Sequence, residues 1–369
     1  MSVARGPTHP RTEDPQRLEA WLTARALPVE SVVRLAGGAS PRTYWRATLV
    51  SPLPNGRTTA IVMALPEDAL APTEHGGTLA LSSATAQAPA ERELPWLAMA
   101  RFLEDLDLPV PEYYVADVSA GYVLIEDLGD ERFFDRLQGV SSASRSALYG
   151  EALQLLADWH HAVAGRIPAH GVPTFGRDHL FAELAEFADM ALEARLGVTL
   201  SPGERKLLLQ VGDTLANELL SGPQVLAHRD FQSQNLMVTP RGLVLIDFQD
   251  AFIAPDVYDL VALLRDSYIV LSPLELDHHL ARFARLTTAD EGHLRDRFHL
   301  QTIQRKLKDA GRFETLARRG KTQFLAWFAD SIGYVVHALQ ASGRFPDLHD
   351  LLVTLLPEAR AVAHATPDP

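Results

Sequence analysis

Three polar side chains in one short stretch, VLAHRDFQSQNLMVTPRGLVLIDFQDA (Val225–Ala251), have types and spacing that could transfer a phosphoryl group: Asp230, Asn235 and Asp247. Such a reaction needs a carboxylate to receive or orient the acceptor's hydroxyl proton, and oxygen ligands to hold a divalent cation on the phosphates. Asp230 suits the first task; Asn235 and Asp247 suit the second. Apolar runs Pro223–Ala227 and Leu243–Phe248 flank the polar turn His228–Asn235, and Pro240 with Gly242 marks a hairpin turn after Leu236–Val238. The expected arrangement is a polar loop fixed by buried strands, with Asp247 at the end of the last one. A plain hairpin, whose Asp and Asn bond only their own turn, is the alternative for each residue taken singly.

The ordered set H-R-D-x-x-x-x-N followed by I-D-F favours the chemical reading, because it has the spacing of a kinase catalytic loop and metal-binding strand. Beyond that spacing, HRDFQSQNLM and LIDFQDAFIAPDVYDLVALLRDSYI resemble the aminoglycoside-phosphotransferase branch of the kinase-like superfamily. Within that branch they are most similar to bacterial kinases of cell-wall recycling that phosphorylate the anomeric hydroxyl of N-acetylmuramate and N-acetylglucosamine. The Gln after Asp-Phe and the downstream YDL and LLRDSY carry the likeness, which is strongest from His228 to Tyr268. The resemblance implies an α+β, two-lobed protein-kinase-like fold with a small antiparallel-sheet lobe and a mostly helical one. It implies ATP and Mg2+, with Asp230 as base and Asn235 and Asp247 on the metal. It also implies that Asp259 holds the backbone amides of the loop.

The elements that must position these groups follow in order. Asp14 and Pro15 open a helix whose Leu18, Trp21, Leu22 and Ala26 recur at helical spacing. Ser31–Leu35 reads as a strand, GGASPRT as a turn and YWRATLV as the returning strand. In that turn Gly37 and Gly38 let backbone amides approach a phosphate, and Ser40 and Thr43 add hydroxyl donors. TAIVMAL (Thr59–Leu65) is a third strand, but it lacks the Lys usual for kinases and carries Met63 near that place. Arg42 or Arg46 could supply the charge, since a guanidinium fork matches phosphate oxygens. Residues 66–90 form a low-complexity insertion, and a helix is expected over Glu91–Leu106, where Glu91 and Glu93 read as ordinary helix-start acids. Strands are expected at Pro109–Tyr114 and Gly121–Glu126, running into LIEDLGD. By resemblance this is the crossover between a nucleotide-binding lobe (residues 1–127) and a helical lobe (128–369), with Glu126 to Leu128 meeting the adenine edge. Helices are then expected at Ala147–Ala164, at Asp178–Leu196 with Asp178 as N-cap, at Pro202–Leu220 and at Pro255–Ser267. His160 and His161 are adjacent, about a hundred degrees apart on a helix, so a shared metal ion is disfavoured.

For the acceptor, Arg229, Gln232, Asp250, Arg265, Asp266 and Tyr268 are expected to face the loop, because paired hydrogen bonds from such side chains hold sugars. The lactyl carboxylate of N-acetylmuramate would favour an Arg fork, with Arg265 first and Arg305 second. An aminoglycoside would need clustered acids, whereas Asp277, Glu291 and Asp296 are scattered among Arg and His. A pseudokinase that lost its Lys is a further alternative, opposed by the intact base and metal ligands.

Composition excludes several other functions. A formal net charge of −13 disfavours nucleic acid or an anionic membrane as partner. With no cysteine there is no disulfide, thiolate catalysis or thiolate metal site. No apolar run approaches a membrane span, and the N-terminus has no apolar core for a signal peptide. A cytoplasmic monomer acting on a small-molecule amino sugar is expected, in a chain of 369 residues that is long enough for two cores.

Overall fold

The computed structural model describes residues 14–35, 42–65 and 95–364. The chain divides into two compact units, Met1–Glu131 with Met237–Ile246, and Arg132–Leu236 with Asp247–Pro369.

In the first unit, strands β1 (Val29–Arg34), β2 (Thr43–Leu49), β3 (Thr59–Ala64), β4 (Tyr113–Asp117) and β5 (Tyr122–Glu126) form one antiparallel sheet. Their order is β1-β2-β3-β5-β4. Alternation along the strands gives the sheet two apolar faces. Trp45, Ala47, Leu49, Ala60, Val62, Ala64, Tyr122 and Leu124 pack on Leu18, Trp21 and Leu22 of helix α1 (Pro15–Thr23). Asp14 caps α1 by accepting the Gln16 N–H at 2.9 Å, while Ala26 lies beyond the helix with φ 60°. On the opposite face Met63, Leu65 and Val123 pack on Trp96 and Leu97 of helix α2 (Pro95–Glu104). The strand expected from Pro109 begins only at Tyr113, because Pro109 and Pro111 have no N–H to give to a ladder.

The second unit is mainly helical: α3 (Phe133–Arg136), α4 (Ser142–Val163), α5 (Arg177–Glu186), α6 (Pro202–Ser221), α7 (Tyr258–Leu264), α8 (Pro273–Thr287), α9 (Glu291–Arg318), α10 (Phe328–Ser342), α11 (Pro346–Leu355) and α12 (Pro357–Ala363). Ser201 with Glu204 and Ser272 with Glu275 form capping boxes that start α6 and α8. Gly176, not Asp178, is the N-cap of α5, and Asp178 lies in the first turn, where its charge still favours the helix start. After Glu186 the chain winds as a π-helix over Phe187–Ala194. The helix expected from Pro255 begins at Tyr258, because Phe252–Pro255 is a strand, β9, paired antiparallel with β6 (Gln224–Ala227).

Helix α9 is the core of this unit, packing against α5, α6, α7, α8 and α10. At Gly311 it passes so close to the π-helix that an added Cβ would lie 2.8 Å from the backbone N and Cα of Phe187. Backbone cannot yield as a flexible side chain does, so Gly311→Ala should lower stability by about 1–3 kcal/mol, read as a reduced urea midpoint.

One hairpin departs from the expected boundary at residue 127. Strands β7 (Leu236–Thr239) and β8 (Gly242–Leu245) belong, from Met237 to Ile246, to the first unit. Within that unit the Val238 N–H donates to Glu131 C=O at 2.8 Å and the Leu245 N–H to Pro109 C=O at 2.8 Å. Arg241 in the turn reaches Glu126 at 2.6 Å and Val110 C=O at 3.0 Å. These bonds join residues more than a hundred positions apart, which a reading of local pattern does not reveal.

Candidate active site

The loop His228–Asn235 leaves β6 and is held by buried charges from two other segments. Asp259 on α7, 1 % exposed, accepts the His228 N–H at 2.6 Å and the Arg229 N–H at 3.0 Å, as the family resemblance implied. Burial pushes the Asp259 carboxyl up to about 7, opposed by those two amide bonds and by Arg305. Asp266, just past α7 and fully buried, accepts the Ser233 N–H at 2.9 Å and the Tyr268 N–H at 3.1 Å. The loop is therefore pinned at both ends by aspartates that satisfy backbone donors. His228 is buried between Trp159 and Phe231, and its Nδ1 accepts the Asp230 N–H at 3.3 Å.

The backbone is strained at the start of this loop and again just past β8. Arg229 has φ 79° and Asp247 has φ 66°, a region costly for residues with a Cβ, on the order of 1–3 kcal/mol each. At Arg229 the conformation is held by its amide bond to Asp259 and by Arg305, which donates to the Arg229 carbonyl at 3.0 Å. Asp230 follows, its side chain 42 % exposed and in contact with Arg305 at 3.3 Å through Oδ1. Protein packed around Asp230 pushes its pKa up, but the positive charges of Arg305, Lys308 and Arg229 outweigh that effect and hold it below the ordinary aspartate range.

Asn235 turns its Nδ2 inward to donate to the Asp230 carbonyl at 2.9 Å. Its Oδ1 is thereby presented as an acceptor. Asp247, exposed, takes the Gln249 Nε2 on Oδ1 at 2.6 Å, and its second oxygen has no hydrogen bond among the described residues. Two hard oxygen donors of this kind suit Mg2+, which is held by few protein ligands and fills its other positions with phosphate and water. Among the described residues no group of three or more His, Cys, Asp or Glu could hold a metal, so an all-protein cage is absent there. His160 in particular is partly buried, edge-on to Phe283, its pKa pushed down to about 4 by loss of solvent and by His161.

The other expected site residues fall into distinct places. Gln232 and Asp250 are partly exposed and exposed respectively. Tyr268 packs edge-on to Trp327 at 4.9 Å, and burial pushes its phenol up to about 12, with Asp266, Asp309 and Asp230 adding to the shift. Asp266 is corrected from acceptor contact to buried anchor, since both carboxylate oxygens serve backbone amides. Arg265 is likewise corrected. It is 6 % exposed, stacked over Tyr334 at 4.9 Å, and the ionisable groups acting on it are Tyr334 and Asp277, not Asp230. Arg305, expected as a second carboxylate partner, is 1 % exposed and already bonded to the loop. Also missed were Lys306 and Asp309, a buried pair at 2.8 Å whose lysine also meets Ser267 at 3.3 Å. The run QRKLKDAGRF shows these charges, but local sequence does not say which of them turn inward.

In the first unit, Gly37, Gly38 and Ser40 lie outside the described residues, as do Glu91, Glu93 and the 66–90 insertion. Thr43 opens β2 opposite Ala64. Met63 sits in the apolar cluster against α2, so no cation replaces the absent Lys on β3 itself. Arg46 does not stand free to do so: Asp130 at 2.8 Å and Asp127 at 2.9 Å hold its guanidinium. Arg42 lies over the Trp96 ring at 5.8 Å. Glu126 is buried, its carboxylate paired with Arg57 and Arg241, and its N–H donates to Glu112 C=O at 2.8 Å. The Leu128 backbone has no hydrogen-bond partner among the described residues, and Gly129 beside it takes φ 84°.

The profile of a phosphotransferase enzyme family matches residues 31–299. An N-acetylmuramate/N-acetylglucosamine kinase of Neisseria meningitidis serogroup B is 31 % identical over 271 residues, covering 71 % of this chain and 79 % of the relative. A kinase of the same name from Pseudomonas aeruginosa is 28 % identical over 295 residues, covering 78 % and 85 %. Among solved structures, the choline kinase of Cryptosporidium parvum superposes with a TM-score of 0.54 at 12 % identity, covering 90 % of this chain and 93 % of that one, a likeness of fold alone. No described helix is long and apolar enough to cross a membrane. The fold is thus the two-lobed α+β fold of protein-kinase-like enzymes, and the chain belongs to the phosphotransferase enzyme family, whose members transfer a phosphoryl group to a hydroxyl acceptor.

Proposed function

We propose that this protein is an ATP- and Mg2+-dependent cytoplasmic kinase that phosphorylates the anomeric hydroxyl of N-acetylmuramate, N-acetylglucosamine or both. The observation that carries the reading is the pinned loop: a carboxylate open to solvent at Asp230, braced by the Asn235 amide, with Asn235 Oδ1 and an Asp247 oxygen left over for a cation. The names of the relatives support the choice of sugar.

In this mechanism Asp230 orients the acceptor hydroxyl and takes its proton as the oxygen attacks the γ-phosphorus of ATP and the bond from that phosphorus to the bridging oxygen breaks, releasing ADP. The ionised state that Arg305, Lys308 and Arg229 favour is the one a proton acceptor needs. Asn235 and Asp247 would hold the divalent ion, which neutralises phosphate charge when bound. The Leu128 backbone, without a hydrogen-bond partner among the described residues, would meet the adenine edge, and Thr43 the phosphates. The anomeric hydroxyl is more acidic than other sugar hydroxyls, so a carboxylate of low basicity suffices for it.

A pseudokinase is a further reading, because Met63 occupies the place of the usual Lys. An aminoglycoside acceptor has less support: Asp309 is paired with Lys306 and Lys308, and Asp259 and Asp266 are buried and bonded to backbone. Measuring ADP release against a panel of N-acetylmuramate, N-acetylglucosamine and kanamycin separates the three. Turnover with either sugar is expected. Turnover with kanamycin alone would favour the aminoglycoside, and Mg-ATP binding with no turnover on any acceptor would favour the pseudokinase.

A further inference from the structure

Arg305 is a fully charged side chain placed where charges are seldom left, 1 % exposed in the middle of α9. Its guanidinium does not cross-link surface groups. Nη1 donates to the Arg229 carbonyl at 3.0 Å and Nη2 to Asp230 Oδ1 at 3.3 Å, while its plane lies over the Tyr258 ring at 4.8 Å. Tyr258 precedes Asp259, the residue that takes the amides of His228 and Arg229. Asp259 therefore binds the N–H side of the strained residue 229 and Arg305 binds its C=O side, so the two together fix the φ 79° conformation that aims Asp230. Lys306, next on α9, turns instead to Asp309 and Ser267, so the guanidinium is the α9 cation bonded to the loop.

We propose that Arg305 is a positioning residue for phosphoryl transfer: from α9 it clamps the Arg229 carbonyl and one oxygen of Asp230, leaving the other oxygen to the acceptor hydroxyl. The proposal rests on the reading of Asp230 as the proton acceptor. A fork is needed for this task, because one side chain must reach two oxygens at once. An ammonium offers a point charge without that geometry. Removing the fork would free the Asp230 carboxylate to rotate and relax residue 229, which acts on turnover rather than on nucleotide affinity.

The test is a double-mutant cycle read by single-turnover kinetics, with Arg305→Met and Arg305→Lys made in the wild-type and Asp230→Asn backgrounds. Losing two bonds to a charged group should lower the rate about 10- to 100-fold in Arg305→Met, with the Mg-ATP constant within about twofold of wild type and partial recovery in Arg305→Lys. In the Asp230→Asn background either change should cost less than about twofold, because the group it positions is gone. Equal losses in both backgrounds, or wild-type turnover of Arg305→Met, would overturn the proposal. Should Arg305→Met lack a cooperative melting transition, the cycle built on Arg305→Lys decides by the same criterion. Failure of the underlying reading has a different signature, namely an Asp230→Asn enzyme that turns over like the wild type before Arg305 is touched.

Discussion

Asp230→Asn should lose turnover by about 10²- to 10⁴-fold while binding Mg-ATP as the wild type does. The substitution is nearly isosteric and keeps the contacts that place the residue: the His228 Nδ1 still receives its N–H and Asn235 still donates to its carbonyl. What disappears is the negative oxygen that Arg305, Lys308 and Arg229 keep ionised and that alone can take a proton. Nucleotide affinity measured by calorimetry and turnover measured by ADP release should therefore separate. A variant with more than about a tenth of wild-type turnover would remove Asp230 from proton transfer.

Asp247→Ala should have the second largest effect, this time on binding. Asn235 and Asp247 are the two oxygen donors assigned to the cation, and among the described residues no third acid or histidine joins them in a metal cluster. Mutating outer-shell partners of metals already costs about 10- to 100-fold in affinity, so removing one of two direct ligands should cost at least about 100-fold in Mg-dependent nucleotide affinity. Asp247 is exposed, and among the described residues its side chain bonds only the nearby Gln249, so the melting temperature should hardly move. Titration with ATP in magnesium and in EDTA checks this. Unchanged affinity in magnesium would show that the cation is held elsewhere.

The sequence made parts of this site legible and hid others for physical reasons. His228 to Asp247 could be read because its logic is local: strand, polar turn, hairpin and strand lie within twenty-odd positions, and the residue types state their chemistry. Asp259 could be read through resemblance, since it falls within the best-matched run. The roles of Asp266 and Arg305 could not. A charged residue in a helical segment reads as an exposed ion pair, because burial of a charge needs partners that only the folded chain brings together. Asp266 finds the Ser233 amide 33 positions away, and Arg305 finds Asp230 75 positions away. Strand β9 was hidden in the same way: Phe252–Pro255 continues an apolar run into α7, and only its pairing with β6 makes it extended. The π-helix at Phe187–Ala194 has an ordinary helical pattern in sequence, and the close passage of Gly311 beside Phe187 joins positions too far apart for local pattern to show.

The absent Lys on β3 bears on the same question. Met63 packs in the apolar layer against α2, and Arg46 is committed to Asp127 and Asp130 at the end of β5. The first unit therefore stabilises its own crossover segment with the arginine that seemed from sequence to be available for phosphate. The cationic groups gathered near Asp230 come instead from the helical unit, as Arg305 and Lys308 on α9 and Arg229 in the loop.

The central claim is that this site places a phosphoryl group on the anomeric oxygen of a cell-wall amino sugar, and phosphorus NMR of the product tests it most directly. Incubation with Mg-ATP and N-acetylmuramate or N-acetylglucosamine should give a phosphomonoester whose phosphorus couples to the anomeric proton and to carbons 1 and 2, and which mild acid hydrolyses. A phosphorus coupled to the protons on carbon 6, or a product stable to that acid, would contradict the account.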